Sequence, residues 1–276
     1  VGLGGHSLAW LEATAAAGAP GRVIGTDRDA QALAEARARL DAAYPGRAHL
    51  VHAPYEDAAR ALSEAGVTSV DAALLDLGVS SLQLDLAPRG FSFQAPGPLD
   101  MRMDPLGSDE TAADVVNRRS EADLARIFAE YGEEPAALRI ARAVVAARAK
   151  APFRDTLRLA EAVARATGGR HSRMHPATRV FQALRIEVND EIGRLRRGLP
   201  RVARCVRAGG RIGVISFHRL EDREVKRFLE GGETGGSLRV LGDATPSHAE
   251  TRANPRARSA RLRWAERLAG PIAEAA

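Results

Sequence analysis

Asp71-Ala-Ala-Leu-Leu-Asp76-Leu-Gly78-Val-Ser80-Ser81-Leu-Gln83 runs from an apolar stretch into a carboxylate and then a small-residue turn carrying hydroxyls and an amide. A buried parallel strand delivers polar groups in this way to the carboxyl edge of an α/β sheet, where ligands bind. Upstream, Arg22-Val-Ile-Gly-Thr-Asp27 reads as a strand followed by a helix from about 30 to 40. A strand near 49–52 and a helix near 56–65 come next. This β/α alternation predicts a parallel, doubly wound sheet of the Rossmann-like kind. Val1-Gly2-Leu3-Gly4-Gly5-His6-Ser7 leads straight into a helix with no strand ahead of it, so the expected sheet lacks its first, central strand.

Far downstream, Gly209-Gly210 precedes Arg211-Ile-Gly-Val-Ile-Ser-Phe217, another buried-strand pattern. The span from 76 to 211 far exceeds the dozen or so residues that a βαβ crossover needs, so it holds an inserted unit. Its segments read as helices near 120–130, 136–149, 155–166 and 177–198. In the last, Phe181, Leu184, Val188, Ile192, Leu195 and Leu199 recur at three- to four-residue spacing. Final strands are expected near 238–241 and 261–264. The expected organisation is a sheet domain from 1–104 and 199–276 and an all-helical domain over 105–198.

Hydrophobic residues at 45% and charged residues at 27% of the 276 fit a folded chain and exclude a disordered one. No apolar run reaches the roughly 20 residues that span a bilayer, so no membrane partner is expected. The lone Cys205 excludes a disulfide framework and a cysteine zinc cluster; no metal site is expected, and a reducing cytoplasm is the expected compartment. Lys150 and Lys226 are the only lysines among 40 basic residues, the rest being arginine, and the net charge is +5. Coding bias accounts for most of this. Clustering at 165–179, 194–207 and 252–267 leaves room for a polyanion partner held by guanidinium forks.

Three features carry chemistry. In the loop at Gly2, Gly4 and Gly5, the backbone can approach a ligand and a helix N-terminus offers unpaired N–H groups, although the spacing is not G-x-G-x-x-G. His6 gains interest only from its place there. Asp27 ends a strand 22 residues after Gly5, near the ~20-residue offset at which an acid meets a ribose diol. Its alternative role as a helix cap is better filled by Asp29. Loop and acid together suit NAD or S-adenosylmethionine. Asp76 is the third, a strand-end acceptor or a turn cap; Gln83 is by itself an ordinary loop amide.

Longer segments then become specific. Gly4-Gly5-His6-Ser7, Gly25-Thr-Asp27-Arg-Asp29, Leu75 to Gln83, Arg89-Gly-Phe-Ser-Phe93, Gly97 to Asp104, Tyr131-Gly-Glu-Glu134, His175 to Asn189, Ser216 to Arg223 and Asn254 to Ser259 occur in order. Together they resemble the rRNA small-subunit methyltransferase H (MraW-like) family from residue 2 to about 264. The resemblance implies an S-adenosylmethionine-dependent enzyme acting on N4 of a cytidine in the decoding region of 16S rRNA. It implies that Gly4, Gly5 and His6 hold the methionine end of the cofactor and Asp27 the ribose, with Asp76 and Gln83 completing the pocket. Tyr55 stands where the family usually has Phe and keeps the aromatic face toward the adenine. The strand ahead of the glycine loop, where the family has an Asp and a Thr, is the larger departure.

Methyl transfer to an exocyclic amine needs in-line positioning and an acceptor that draws the nitrogen toward tetrahedral geometry. Asp76-Leu-Gly-Val is not the Asp/Asn-Pro-Pro-aromatic turn of other amino-methyltransferases. The acceptor candidates are therefore Asp76 and Asp100, with His218 as a further proton acceptor. Asp100 and Asp104 have an ion pair with Arg102 or a neighbour as their alternative. Phe91, Phe93 and Phe217 could stack on a flipped base or serve as core. Candidate RNA contacts are Arg102, Arg179, Arg185, Asn189, Arg256 and Arg258. Expected partners are 16S rRNA or the small ribosomal subunit, with a homodimer left open. A methyltransferase for other substrates, an NAD-dependent oxidoreductase and a non-catalytic RNA-binding protein are the competing readings.

Overall fold

In the computed structural model, residues 1–107, 110–168 and 175–273 are described, and the chain forms two compact units: Val1–Gly78 with Ile192–Ala276, and Val79–Glu191. The first unit opens with α1 (Gly5–Ala16), β1 (Val23–Asp27), α2 (Ala30–Ala43), β2 (Ala48–His52), α3 (Ala58–Glu64) and β3 (Val70–Asp76). The second holds α4 (Ser81–Asp85), α5 (Ala112–Arg118), α6 (Glu121–Glu130), α7 (Ala137–Arg148), α8 (Thr156–Thr167) and α9 (Ala177–Asn189). The chain then returns through α10 (Glu191–Cys205), β4 (Val206–Ser216), α11 (Arg219–Thr234), β5 (Leu238–Ala244), α12 (His248–Ala253) and β6 (Arg261–Arg267).

The strands of the first unit form two sheets, β1-β2 and β3-β4-β6-β5. β1 pairs with β2 and β3 with β4 in parallel, while β6 runs antiparallel to both β4 and β5. Among the described residues β3 has a strand on one side only, and of the run read as a fully buried strand, Leu75 is buried but Leu74 is 50% exposed. A sheet core forms from Leu75, Ile212, Val214, Val225, Leu229 and Ala265. α2 starts where Asp29 accepts hydrogen bonds from the Gln31 and Ala32 amides, and it buries Ala32, Leu33, Ala36 and Leu40. Leu33, Ala36 and Leu40 join Leu11 of α1 and Leu50 of β2 in a smaller core. Gly4 caps α1 in the left-handed region (φ 79), where a Cβ would come 3.4 Å from that of Ala36. Glycine meets both demands.

The second unit is built of helices around Phe128, Phe153, Ile140, Leu159 and Leu184. The boundaries differ from the expected 104/105 and 198/199. Phe91, Leu99, Met101 and Met103 pack into the helical core, so the segment from 79 belongs there. Leu195 packs into the sheet core, so the chain changes unit by Ile192. The single helix expected over 177–198 is two. Asp190 adopts a left-handed conformation (φ 47, ψ 42), and α9 ends there. The apolar stripe crosses this break but serves two cores: Phe181 and Leu184 the helical one, Leu195 and Leu199 the other. β4 also begins at Val206, ahead of the glycine pair, where its ladder with β3 shifts register.

No helix among the described residues is long and apolar enough to cross a membrane. Arg170 and Arg173 of the 165–179 cluster lie outside the described residues.

Candidate functional site at the carboxyl edge of the sheets

Parallel register aligns Asp27 with His52 and Asp76 with Ile215, so each acid stands at the carboxyl end of its ladder. Asp27 Oδ2 accepts the Gly2 amide at 2.7 Å and Oδ1 accepts the Asp29 amide at 2.9 Å. Oδ2 also meets the Val1 amino group at 3.4 Å, and the side chain is 19% exposed. From the first turn of α1, His6 Nε2 reaches Asp76 Oδ2 at 3.5 Å. The loop and the first turn of α1 thus touch the two strand-end acids, one each, and bring Gly4, Gly5 and His6 to the edge where Asp27 and Asp76 emerge. The hydrogen bond to Asp76, reinforced by its charge, raises the His6 pKa above the ordinary 6.5, against partial desolvation. No side chain caps α1, so its leading amides are left to other partners.

Tyr55 follows β2. Its ring packs against Gly198 of α10, where a Cβ would fall 2.2 Å from Cε2. Beside it, the buried Glu56 carboxylate meets Arg194 at 3.3 Å and Arg197 at 3.7 Å. Past β3, Gly78 (φ +84) lies next to Phe217, a Cβ there being 3.6 Å from its Cδ2. The Phe217 amide donates to Glu221 at 2.8 Å and the His218 amide at 3.3 Å, so one buried carboxylate holds the turn after β4. His218 Nδ1 accepts the Glu221 amide at 3.3 Å, capping α11. That lone pair is occupied, which removes His218 Nδ1 as a ready proton acceptor.

The remaining candidates lie in the helical unit or on the surface. Gln83 is buried in the capping box of α4, its Oε1 accepting the Ser80 amide at 3.0 Å. Asp100 is chelated by Arg102 through Nε at 2.9 Å and Nη2 at 2.7 Å, so the ion-pair alternative is the one realised. Asp104 holds the Leu106 and Gly107 amides. Phe91 is core, and Phe93 packs edge-on to Phe181 at 4.8 Å.

Among the RNA candidates, Asn189 is buried: it donates to Met101 and Arg185 carbonyls at 2.7 and 2.9 Å and accepts the Met103 amide at 2.8 Å. Its amide is thus committed to the backbone of its own unit, which corrects the expected RNA contact. Arg185 forms a fork–fork pair with Glu191, both contacts 2.8 Å. Arg179 is exposed and donates to the Glu133 carbonyl at 2.9 Å. Arg256 and Arg258 are exposed, and Arg258 borders an open depression of about 460 Å³ beside α12.

Sequence reasoning passed over Glu221 and Gly198. His218-x-x-Glu221 is a capping box with histidine in the place usual for Ser or Thr. A glycine inside a predicted helix signals a close approach.

Strand-end acids around a glycine loop and an uncapped helix define an α/β enzyme of the nucleotide-cofactor class. The MraW methylase family model matches residues 1–268, and the chain belongs to that family. It is 50% identical to the ribosomal RNA small subunit methyltransferase H of Syntrophotalea carbinolica, over 97% of this chain and 90% of that protein. Proteins of the same name from Thermomicrobium roseum (48%; 97% and 86% covered) and Deinococcus radiodurans (52%; 90% and 78%) are similar too.

Proposed function

We propose that this chain transfers a methyl group from S-adenosylmethionine to N4 of a cytidine in the decoding region of 16S rRNA, in the naked RNA or the small ribosomal subunit. The observation that carries the reading is the glycine loop bonded to Asp27 and, from the helix turn that follows it, His6 meeting Asp76. The relatives' names supply the RNA class.

The site fits the cofactor. Asp27 Oδ1, which takes one amide, suits a ribose hydroxyl, and the amides at the start of α1 suit the methionine carboxylate. Tyr55 offers an aromatic edge for the adenine, and Gln83 belongs to the same expected set. S-adenosylmethionine supplies an electrophilic methyl group on sulfonium, which leaves as a neutral thioether.

The chain's own task is positioning. Asp76 Oδ1 accepts a hydrogen bond from the cytosine amine, drawing the delocalised lone pair toward the methyl carbon, and the amine proton leaves to that carboxylate. His6 holds Oδ2, which fixes the carboxylate in place. Phe217, steadied by Glu221, flanks the turn that carries Asp76 and offers a face for a base out of its stack.

In this reading the helical unit, with Arg179, recognises rRNA together with Arg256 and Arg258 at α12. The setting is the cytoplasm, and a homodimer is compatible with it.

Purified small subunits from cells lacking the modification, incubated with tritiated cofactor, should take up label at one cytidine. Mass mapping should find the methyl on N4. Label on another base or position would replace this proposal, and no label would remove it.

A further inference from the structure

Along α10, Arg194, Arg197, Arg201 and Arg204 recur at three- and four-residue intervals, which aligns them on one helix face. Arg194 and Arg197 neutralise the buried Glu56. Arg201 and Arg204 continue the row into an open groove of about 790 Å³ between α3 and α10, with Arg60 lining it from α3. All three are exposed. The groove is also lined by Asp57 and by Glu56, whose charge Arg194 and Arg197 offset; Arg60 pairs with Glu64 at 3.7 Å, while Arg201 makes no ion pair among the described residues. Ser63 and Thr68 add hydroxyls to the lining.

Guanidinium groups interspersed with hydroxyls in an open groove match a chain of phosphates better than a small enclosed ligand. We propose that the α3–α10 groove binds the phosphate backbone of the RNA substrate. It uses none of the residues assigned to the cofactor edge. This rests on the rRNA reading above and adds a contact surface to the sheet unit, outside the helical unit and the α12 region.

The test is binding of the full chain to 16S rRNA between about 50 and 200 mM salt, with calorimetry of S-adenosylmethionine alongside. Arg201→Glu with Arg204→Glu should weaken RNA binding roughly tenfold and flatten the log–log salt slope by about 1.5, the share of two phosphates. Cofactor affinity should not change. Arg201→Gln with Arg204→Gln gives the milder form of the same loss and serves if the reversal fails to fold.

Arg39→Glu with Arg223→Glu makes the same change in net charge outside the groove. Equal weakening by that pair, or unaltered binding by the groove variants while wild type binds, overturns the proposal. If wild type itself does not bind RNA, the rRNA reading falls and takes the groove with it.

Discussion

The Tyr55 ring lies across Gly198 of α10 so closely that a methyl group on that Cα would be 2.2 Å from Cε2. Two demands therefore oppose each other at one position. A helix interior favours alanine over glycine by about 1 kcal/mol, while overpacking a filled contact costs roughly 1–3 kcal/mol. Gly198→Ala should destabilise the protein, and in a Tyr55→Ala background the same change should stabilise it. Urea unfolding of the four proteins checks this reversal of sign. Stabilisation in both backgrounds would mean that the ring does not depend on the gap.

Asp27→Ala should abolish calorimetrically detectable binding of S-adenosylmethionine. Asp27→Asn, which keeps the shape but not the charge, should weaken binding roughly tenfold to a hundredfold. Tight binding by either variant would refute a ribose role for this carboxylate.

The His6–Asp76 contact has a definite pH signature. Its neighbour raises the imidazole pKa above 6.5. The stability it contributes is therefore complete below the unfolded-state value and fades as pH rises through the folded one. Both side chains are more than a third exposed, 58% and 44%, so solvent screening keeps this contribution under about 1 kcal/mol. In a proton NMR titration His6 should titrate above the ordinary histidine value, and Asp76→Asn should bring it down. An unmoved midpoint in that variant would assign the shift elsewhere.

Asn189 ties α9 to the segment that holds Met101 in a left-handed conformation (φ 62). Replacing it with alanine strands the Met101 carbonyl and the Met103 amide in a buried site, at a cost of roughly 2–4 kcal/mol. Denaturant unfolding should record a loss of that size. A loss below about 0.5 kcal/mol would return Asn189 to the surface role expected from its sequence.

Much of the sheet unit is legible because its signals are local. The run at 71–76, the strand ending in Asp27 and the cap at Asp29 each depend on residues a few places apart. The site's acids could be found for the same reason, since strand ends and the glycine loop fix where they emerge. What stayed hidden depends on partners distant in sequence. Periodicity from Phe181 to Leu199 continues through Asp190, so nothing in the spacing reveals that the stripe divides between two cores. Asn189 looked like a free polar group because its partners in the 101–103 backbone become evident only in three dimensions, whereas the pairing of Asp100 with nearby Arg102 was already one of its two readings.

The parallel ladder between β3 and β4 has an implication for how the molecule is made. Its two strands leave the ribosome with the whole of Val79–Glu191 between them. The intervening unit has short-range helical contacts and can condense while translation continues. Until Val206–Ser216 emerges, β3 has no partner strand among the described residues and exposes its amides and Leu74. The nascent chain is most open to aggregation in that interval, so slowing elongation just before β4 would lower its yield more than slowing it afterwards.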